Sequence, residues 1–461
     1  MAKTPFAKRD EEREVTRRAL IKWTLAAGAA LGVSRGKIME ILERTAGKET
    51  AFAATENSSC RTIHLVGRNG GLAWATLLFP QVDIAKQSKA GQSYNRPGMG
   101  MMAPGTAKPL WFSPDTPWQD LPPSQQFTGF VCGNSSAHSD INASTSILNG
   151  NNVFSFATAL QASTPAVIPV VAVNGLDIGT SPGGATATAV GSPDQIVGLF
   201  NSAASRAGGL LSNSQDATTY AVQYAAFAQL NRASSRSTQK ISYNTAVGAA
   251  GLLGVNLAAK LAIQPADLQR YGATSVANNI KAIAQGFIVA VKAFKAGLTN
   301  SVVLPFMGDD PHPAFADGRS GTVPAQLKMI FDGLMADLKS TTDEVTNKVL
   351  ADDTVITIMG DTPKDCTQSN GWPDGTRNGS GMAFVYSAGH LKSGWFGNID
   401  SNGAVTGFDQ TGADATFNNA NTAKLALASI AYAVAKGDER AIAPFANGVT
   451  ISNGIGIPKQ L

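Results

Sequence analysis

Three short, nearly continuous apolar runs rich in β-branched residues, at 166–173, 301–307 and 354–359, constrain this chain more than any other feature. A strand that is apolar on both sides must be covered on both faces, the usual setting of parallel strands in an α/β sheet. Between and after these runs lie stretches with helical spacing, at 215–236, 255–264, 275–296, 323–340 and 419–436. In 323–340, Leu327, Ile330, Phe331, Leu334 and Leu338 form one stripe to lay on a sheet, and Pro324 suits a helix start. In 419–436, Leu425, Leu427, Ile430 and Val434 stand among alanines, with Gly437 as the stop. A fourth strand is read at 62–66, followed at once by Gly67-Arg68-Asn69-Gly70-Gly71. This alternation predicts an α/β fold, a mixed and mostly parallel sheet flanked by helices on both faces.

The N-terminus reads as an export signal. Thr16-Arg17-Arg18-Ala19-Leu20-Ile21-Lys22 follows the twin-arginine pattern and precedes a mildly apolar stretch at 23–33. That stretch is short of the roughly 20 apolar residues a membrane-spanning helix needs, so no stable membrane span is expected. Ala51-Phe52-Ala53 supplies a small-x-small cleavage site and places the mature start at Ala54. The expected organisation is a signal peptide over 1–53 and one α/β domain over 54–461, with a long loop excursion near 90–125 rich in Gly, Pro, Met and Ser and read as lying on the surface. The 34–50 interval is long for a signal, which leaves an uncleaved N-terminal anchor as the alternative. The partner implied is the twin-arginine translocase, and the destination is the periplasm or the cell surface.

Charge narrows the partners further. Of 37 basic and 33 acidic residues, 11 and 7 fall within 1–53, leaving the mature part with 26 of each. A neutral mature chain gives no basis for nucleic acid or anionic membrane as a partner. Cys60, Cys132 and Cys366 lie far apart without metal-type spacing, so a zinc cluster is not expected. One disulfide at most can form among three possible pairings, and a buried inert thiol is an equal reading for each.

Histidine is scarce, and each one can be weighed. His64 lies within the first strand and reads as a hydrogen-bonded core residue; His390, in a Gly-flanked segment, reads as a surface residue of no special role. Met99, Met101 and Met102 suit a loop with apolar contacts better than a Cu(I) site. Met307-Gly308-Asp309-Asp310-Pro311-His312-Pro313 differs, because it sets two carboxylates and an imidazole at the C-terminal end of a strand, where open α/β sheets keep their ligands. Asp310 and His312 can share one divalent metal, Zn, Mn or Fe. A Pro-bounded turn in which the aspartates cap backbone is the equal alternative.

With these segments in order, the chain resembles the secreted twin-arginine substrates of domain-of-unknown-function family fifteen-oh-one, grouped with the alkaline-phosphatase-like superfamily. The family's Gly-Trp-Asp-Thr-His element is similar to Gly308-Asp309-Asp310-Pro311-His312, which carries its metal-type Asp and His onto Asp310 and His312. Its Arg-Ser-His element resembles Ser136-Ala137-His138 and makes His138 a third candidate ligand. Its Ser-Glu-Phe-Gly-Arg-Thr-Pro element resembles Thr357-Ile358-Met359-Gly360-Asp361-Thr362-Pro363, so Ile358 stands where an acidic ligand belongs. Its Arg-Asp-His element resembles Arg377-Asn378-Gly379 without the histidine, and its Gly-Gly-Ala-Asp-Gly loop resembles Arg68-Asn69-Gly70-Gly71 without the aspartate. Possible substitutes are Asp309, Asp361 and Asp365, while Asn69, Asn378 and Thr357 can hydrogen-bond a ligand.

The resemblance implies an alkaline-phosphatase-like fold with a degenerate metal site. The favoured expectation is a non-catalytic binding or structural protein with a protein assembly partner at the surface, because each lost ligand weakens the same cooperative site. The alternative is a phosphate- or sulfate-ester hydrolase with a rearranged single-metal site. A carbohydrate-binding role resting on the tryptophans at 111–118 and 372–395 is the third.

Overall fold

The computed structural model describes residues 59–80, 108–133 except 109, 111, 123–124 and 126, 146–148, 151–199 except 165, 177, 180 and 182–185, 256–309, 319–361, 379, 381–400, 404–446 and 448–458. The export signal, the cleavage site, the 215–236 stretch, most of the 90–125 excursion, Cys366 and Asn378 lie outside the described residues, as do His138, Asp310, His312 and Asp365.

The four expected strands form the centre of one sheet. They are β1 (Arg61–Gly67), β5 (Ile168–Val173), β7 (Thr299–Pro305) and β8 (Thr354–Gly360). Four shorter strands complete it: β2 (Thr128–Val131), β6 (Thr188–Val190), β9 (Met382–Tyr386) and β10 (Gly394–Phe396). The order is β10-β2-β9-β8-β1-β7-β5-β6, and only β9 runs against the rest. The short hairpin of β3 (Ser146–Leu148) with β4 (Asn151–Asn152) and a small sheet of β11 (Asn398–Ile399), β12 (Val405–Phe408) and β13 (Asp414–Ala415) stand apart.

Period-two alternation sorts the strand side chains between two apolar layers. Ile63, Leu65, Val302, Leu304, Ile356 and Ile358 face the layer covered by α1 (Leu72–Leu78), α3 (Pro193–Leu199), α4 (Leu257–Leu261), α6 (Asn278–Lys295) and α7 (Arg319–Ser340). Val66, Val170, Val303, Val355 and Met359 face the other, covered by α2 (Val153–Leu160), α8 (Asn419–Val434) and α9 (Glu439–Ala446). The result is the expected mixed, mostly parallel sheet with helices on both faces.

Three local readings change. Helix α7 begins at Arg319, so Pro324 sits inside it and deletes one intrahelical N–H rather than opening the helix. The expected helix at 255–264 shortens to α4, and α5 (Pro265–Arg270) starts anew behind a Gln264–Asp267 capping box with Pro265 in its first turn. The described part of the excursion is irregular, as loops are, and exposes Pro114, Gln119, Asp120 and Pro122, but it also has a side turned inward. Leu110, Phe112, Trp118 and Leu121 are buried, and Trp118 packs on Phe79, Phe331 and Tyr386 while its indole N–H donates to the Phe331 carbonyl at 2.9 Å. Large aromatics bury enough apolar area to hold an irregular segment down without a ladder of its own.

The N-terminal edge of the sheet is sealed by buried charge. Arg61 donates to Asp343 through Nε at 3.1 Å and Nη2 at 2.5 Å, and to the Thr299 carbonyl and Asn300 Oδ1 through Nη1. Each guanidinium nitrogen has a partner, which is what allows an arginine to sit 1% exposed. No helix of the described residues is long and apolar enough to cross a membrane.

Candidate functional site

β1 lies between β7 and β8, parallel to both, so three chain segments leave the sheet side by side at its C-terminal edge. They are 67–71, 306–309 and 360–361. Backbone hydrogen bonds carry the pairing past the strand ends: Phe306 N–H to Val66 O at 2.9 Å, Arg68 N–H to Met307 O at 3.1 Å, and Asp361 N–H to Gly67 O at 3.3 Å. The chain then turns into α1 through Asn69 and Gly70, both left-handed, with φ of 51° and 80°.

Glycine makes this junction geometrically possible. A Cβ on Gly71 would lie 2.1 Å from the Met307 carbonyl oxygen, and one on Gly360 would lie 2.4 Å from the Gly67 carbonyl oxygen. The strand exits are packed backbone on backbone. Within this frame the Gly70 N–H donates to Asp361 Oδ1 at 3.0 Å, and Asn69 Nδ2 donates to the Gly308 carbonyl at 3.3 Å. Asp361 is buried, Asp309 is half-buried, and Asn69 and Gly308 are exposed. Asp361 therefore floors the edge, while Asn69, Gly308 and Asp309 form its lip.

Of the expected site residues, the structure brings Asp309 and Asp361 to the same edge, on either side of the 67–71 loop. Asp310, His312, His138 and Asp365 lie outside the described residues. Ile358, set by the resemblance where an acidic ligand belongs, is instead buried in the apolar layer on the α1 side of the sheet, two residues short of the end of β8, and the acidic side chain at that strand's exit is Asp361. Thr357, a candidate ligand donor, is instead buried, its Oγ1 2.7 Å from His64 Nδ1. His64 is the core histidine expected: fully buried, tilted against Phe154 at 4.7 Å between ring centres, and pushed down to about 3 by desolvation. A neutral imidazole is what such a setting keeps.

Other candidates resolve plainly. Cys60 and Cys132 are free, buried thiols, both pushed up to about 12 by desolvation. Trp74, Trp118 and Trp395 are buried, and Trp395 lies against Gly129 of the neighbouring strand, so neither Trp118 nor Trp395 offers a sugar platform. Among the described residues no group of three His, Cys, Asp or Glu could hold a metal ion. Asp309 and Asp361 together supply fewer than the three or four protein ligands a tightly held Zn or Mn takes. The interlock of Gly70 with Asp361 escaped the sequence reading, although Gly70, Gly71 and Asp361 were each visible in it; the missing link was the register of β1 on β8, Gly67 beside Gly360.

In comparison with protein-family models, curated proteins and solved structures, nothing matches this chain.

Proposed function

We propose that this is an exported protein, delivered folded by the twin-arginine route to the periplasm or cell surface, with an alkaline-phosphatase-like scaffold and an eroded metal site, acting as a binding or structural protein. The observation that carries the reading is the fate of β8. Where the resemblance calls for an acidic ligand stands Ile358, buried in an apolar layer, and the nearby Asp361 holds the 67–71 loop through the Gly70 N–H. A carboxylate engaged with backbone at a glycine-packed junction suits architecture. The loop itself carries Asn69 in place of an acid, and an amide is a poor substitute for a charged ligand.

The second reading, a single-metal ester hydrolase, draws support from Asp309 and Asp361 leaving β7 and β8 on either side of one loop. Metal content by plasma mass spectrometry on exported protein separates the two. The binding reading expects folded protein with no stoichiometric Zn, Mn or Fe. One metal per chain, lost in Asp310→Ala/His312→Ala, would overturn it and favour the hydrolase.

A further inference from the structure

Asp353 and Lys436 meet at the N-terminal edge of the sheet, remote from the 67–71 loop. Asp353 directly precedes β8 and is 2% exposed; its N–H donates to the Leu350 carbonyl at 3.1 Å, and its carbonyl accepts from the Arg61 N–H at 2.8 Å. Lys436 follows the end of α8 and is 8% exposed. Its backbone is left-handed at φ 56°, fixed by Lys436 N–H to Ala433 O at 2.9 Å and Gly437 N–H to Tyr432 O at 3.0 Å. This is a Schellman stop with lysine, not glycine, in the strained position. Lys436 Nζ is paired with Asp353 Oδ1, and the two side chains are 10% and 3% exposed.

Lys348, on the exposed segment before Leu350, brings a second amine to the pair. Burial first, and then the charge of Lys436, push its amine below the ordinary lysine range. Cys60, whose N–H donates to the Val434 carbonyl at 2.8 Å, closes the inner side with a thiol held protonated by desolvation. The ionisable groups facing the pair are thus one amine and one neutral thiol. Beside the Lys436 ammonium, Lys348 sheds its proton more readily than an isolated lysine would.

We propose that Lys436 Nζ condenses with the Asp353 carboxyl to form an intramolecular amide that staples the end of α8 to the start of β8. Three features favour condensation over a permanent ion pair. Both partners hang from backbone that is fixed by hydrogen bonds, which supplies the high effective concentration the acyl transfer needs. Both side chains are nine-tenths or more buried, so the ion pair carries a desolvation cost that a neutral amide does not. The partly exposed Lys348 can exchange protons between the pair and solvent.

The atoms balance without a co-reactant. Lys436 first releases one proton to solvent, and the free amine attacks Asp353 Cγ. A C–N bond forms, a C–O bond breaks, and the departing oxygen leaves as water carrying one hydrogen from Nζ and one from the Lys348 ammonium. Lys348 then recovers a proton from solvent, and nothing is oxidised or reduced.

The test is the intact mass of the exported full chain, its N-terminus set by sequencing, beside a Lys436→Arg variant that keeps the cation and cannot form this bond. The proposal expects the wild type to weigh one water less than its sequence, the variant to have its full mass, and a tryptic digest to yield one branched peptide joining the segments around 353 and 436. Lys348→Met should lower the linked fraction. Folded wild type at full sequence mass, with the Asp353 and Lys436 peptides recovered separately, overturns the proposal whether or not the variants fold.

Discussion

Lowering the pH from 7 to 5 should weaken this protein through His64. The ring is fully buried on β1, its Nδ1 is engaged with Thr357 Oγ1, and its Nε2 has no hydrogen-bond partner among the described residues. Desolvation pushes the imidazole from 6.5 to about 3, so the folded protein keeps it neutral while the unfolded chain protonates it. The folded value is the depressed one, so the contribution is fully present above pH 6.5 and is lost as pH falls toward 3. One proton bound only by the unfolded state gives a slope approaching about 1.4 kcal/mol per pH unit, or about 2 kcal/mol lost at pH 5 and about 4 kcal/mol by pH 3. Urea unfolding followed by circular dichroism at pH 7, 6 and 5 measures this, with His64→Gln as the reference, because glutamine keeps a polar partner for Thr357 and does not titrate. Subtracting the two profiles removes the carboxylates they share. A wild-type profile no steeper than that of His64→Gln between pH 6.5 and 5 would refute the reasoning, since it would mean that the ring charges inside the fold at little cost.

Two further outcomes follow from the packing. Gly71→Ala sets a methyl 2.1 Å from the Met307 carbonyl oxygen and 2.9 Å from that of Arg68, backbone atoms that cannot rotate away; a loss of about 3 kcal/mol or more in urea is expected, and a variant within about 0.5 kcal/mol of wild type would show that the strand exits are not so closely packed. Cys60 and Cys132, buried and with thiols pushed up to about 12, should resist iodoacetamide at pH 8 in the native protein and label fully in denaturant; native labelling of either at the rate of an exposed thiol would contradict their placement.

The central strands were legible in the sequence because burial on both faces demands apolar residues at successive positions, and a run such as that of β7 is seldom produced for another reason. The short strands on the β10 side were not. β2 and β10 are three or four residues long, and Gly129 and Trp395 meet across them as partners distant in sequence, so the feature that makes these segments strands is a contact and not a pattern. The same holds for the excursion: Trp118 is one of the tryptophans that raise a carbohydrate-binding role from sequence, and Phe79, Phe331 and Tyr386, drawn from three other segments, make it core.

At the candidate site the limit is sharper, because the chemistry there depends on register. Read along the chain, Thr357, Ile358 and Asp361 are three polar or ligand-matched positions within one short segment. Pairing with β1 separates their fates: Thr357 falls beside His64 and is used in the core, Ile358 falls beside Leu65 in the opposite layer, and Asp361 lies just past the Gly67–Gly360 pair, where the Gly70 N–H reaches its carboxylate. A one-residue shift would exchange the two faces and bring Ile358 toward the layer that now holds His64. Substituting an acid at 358 would therefore not restore a metal ligand at the edge; it would bury a charge in the apolar layer that holds Ile356, Leu65 and the residues of α1. Whatever ligand chemistry this edge supports has to be carried by side chains beyond the strand ends, and the acid that β8 contributes there is Asp361.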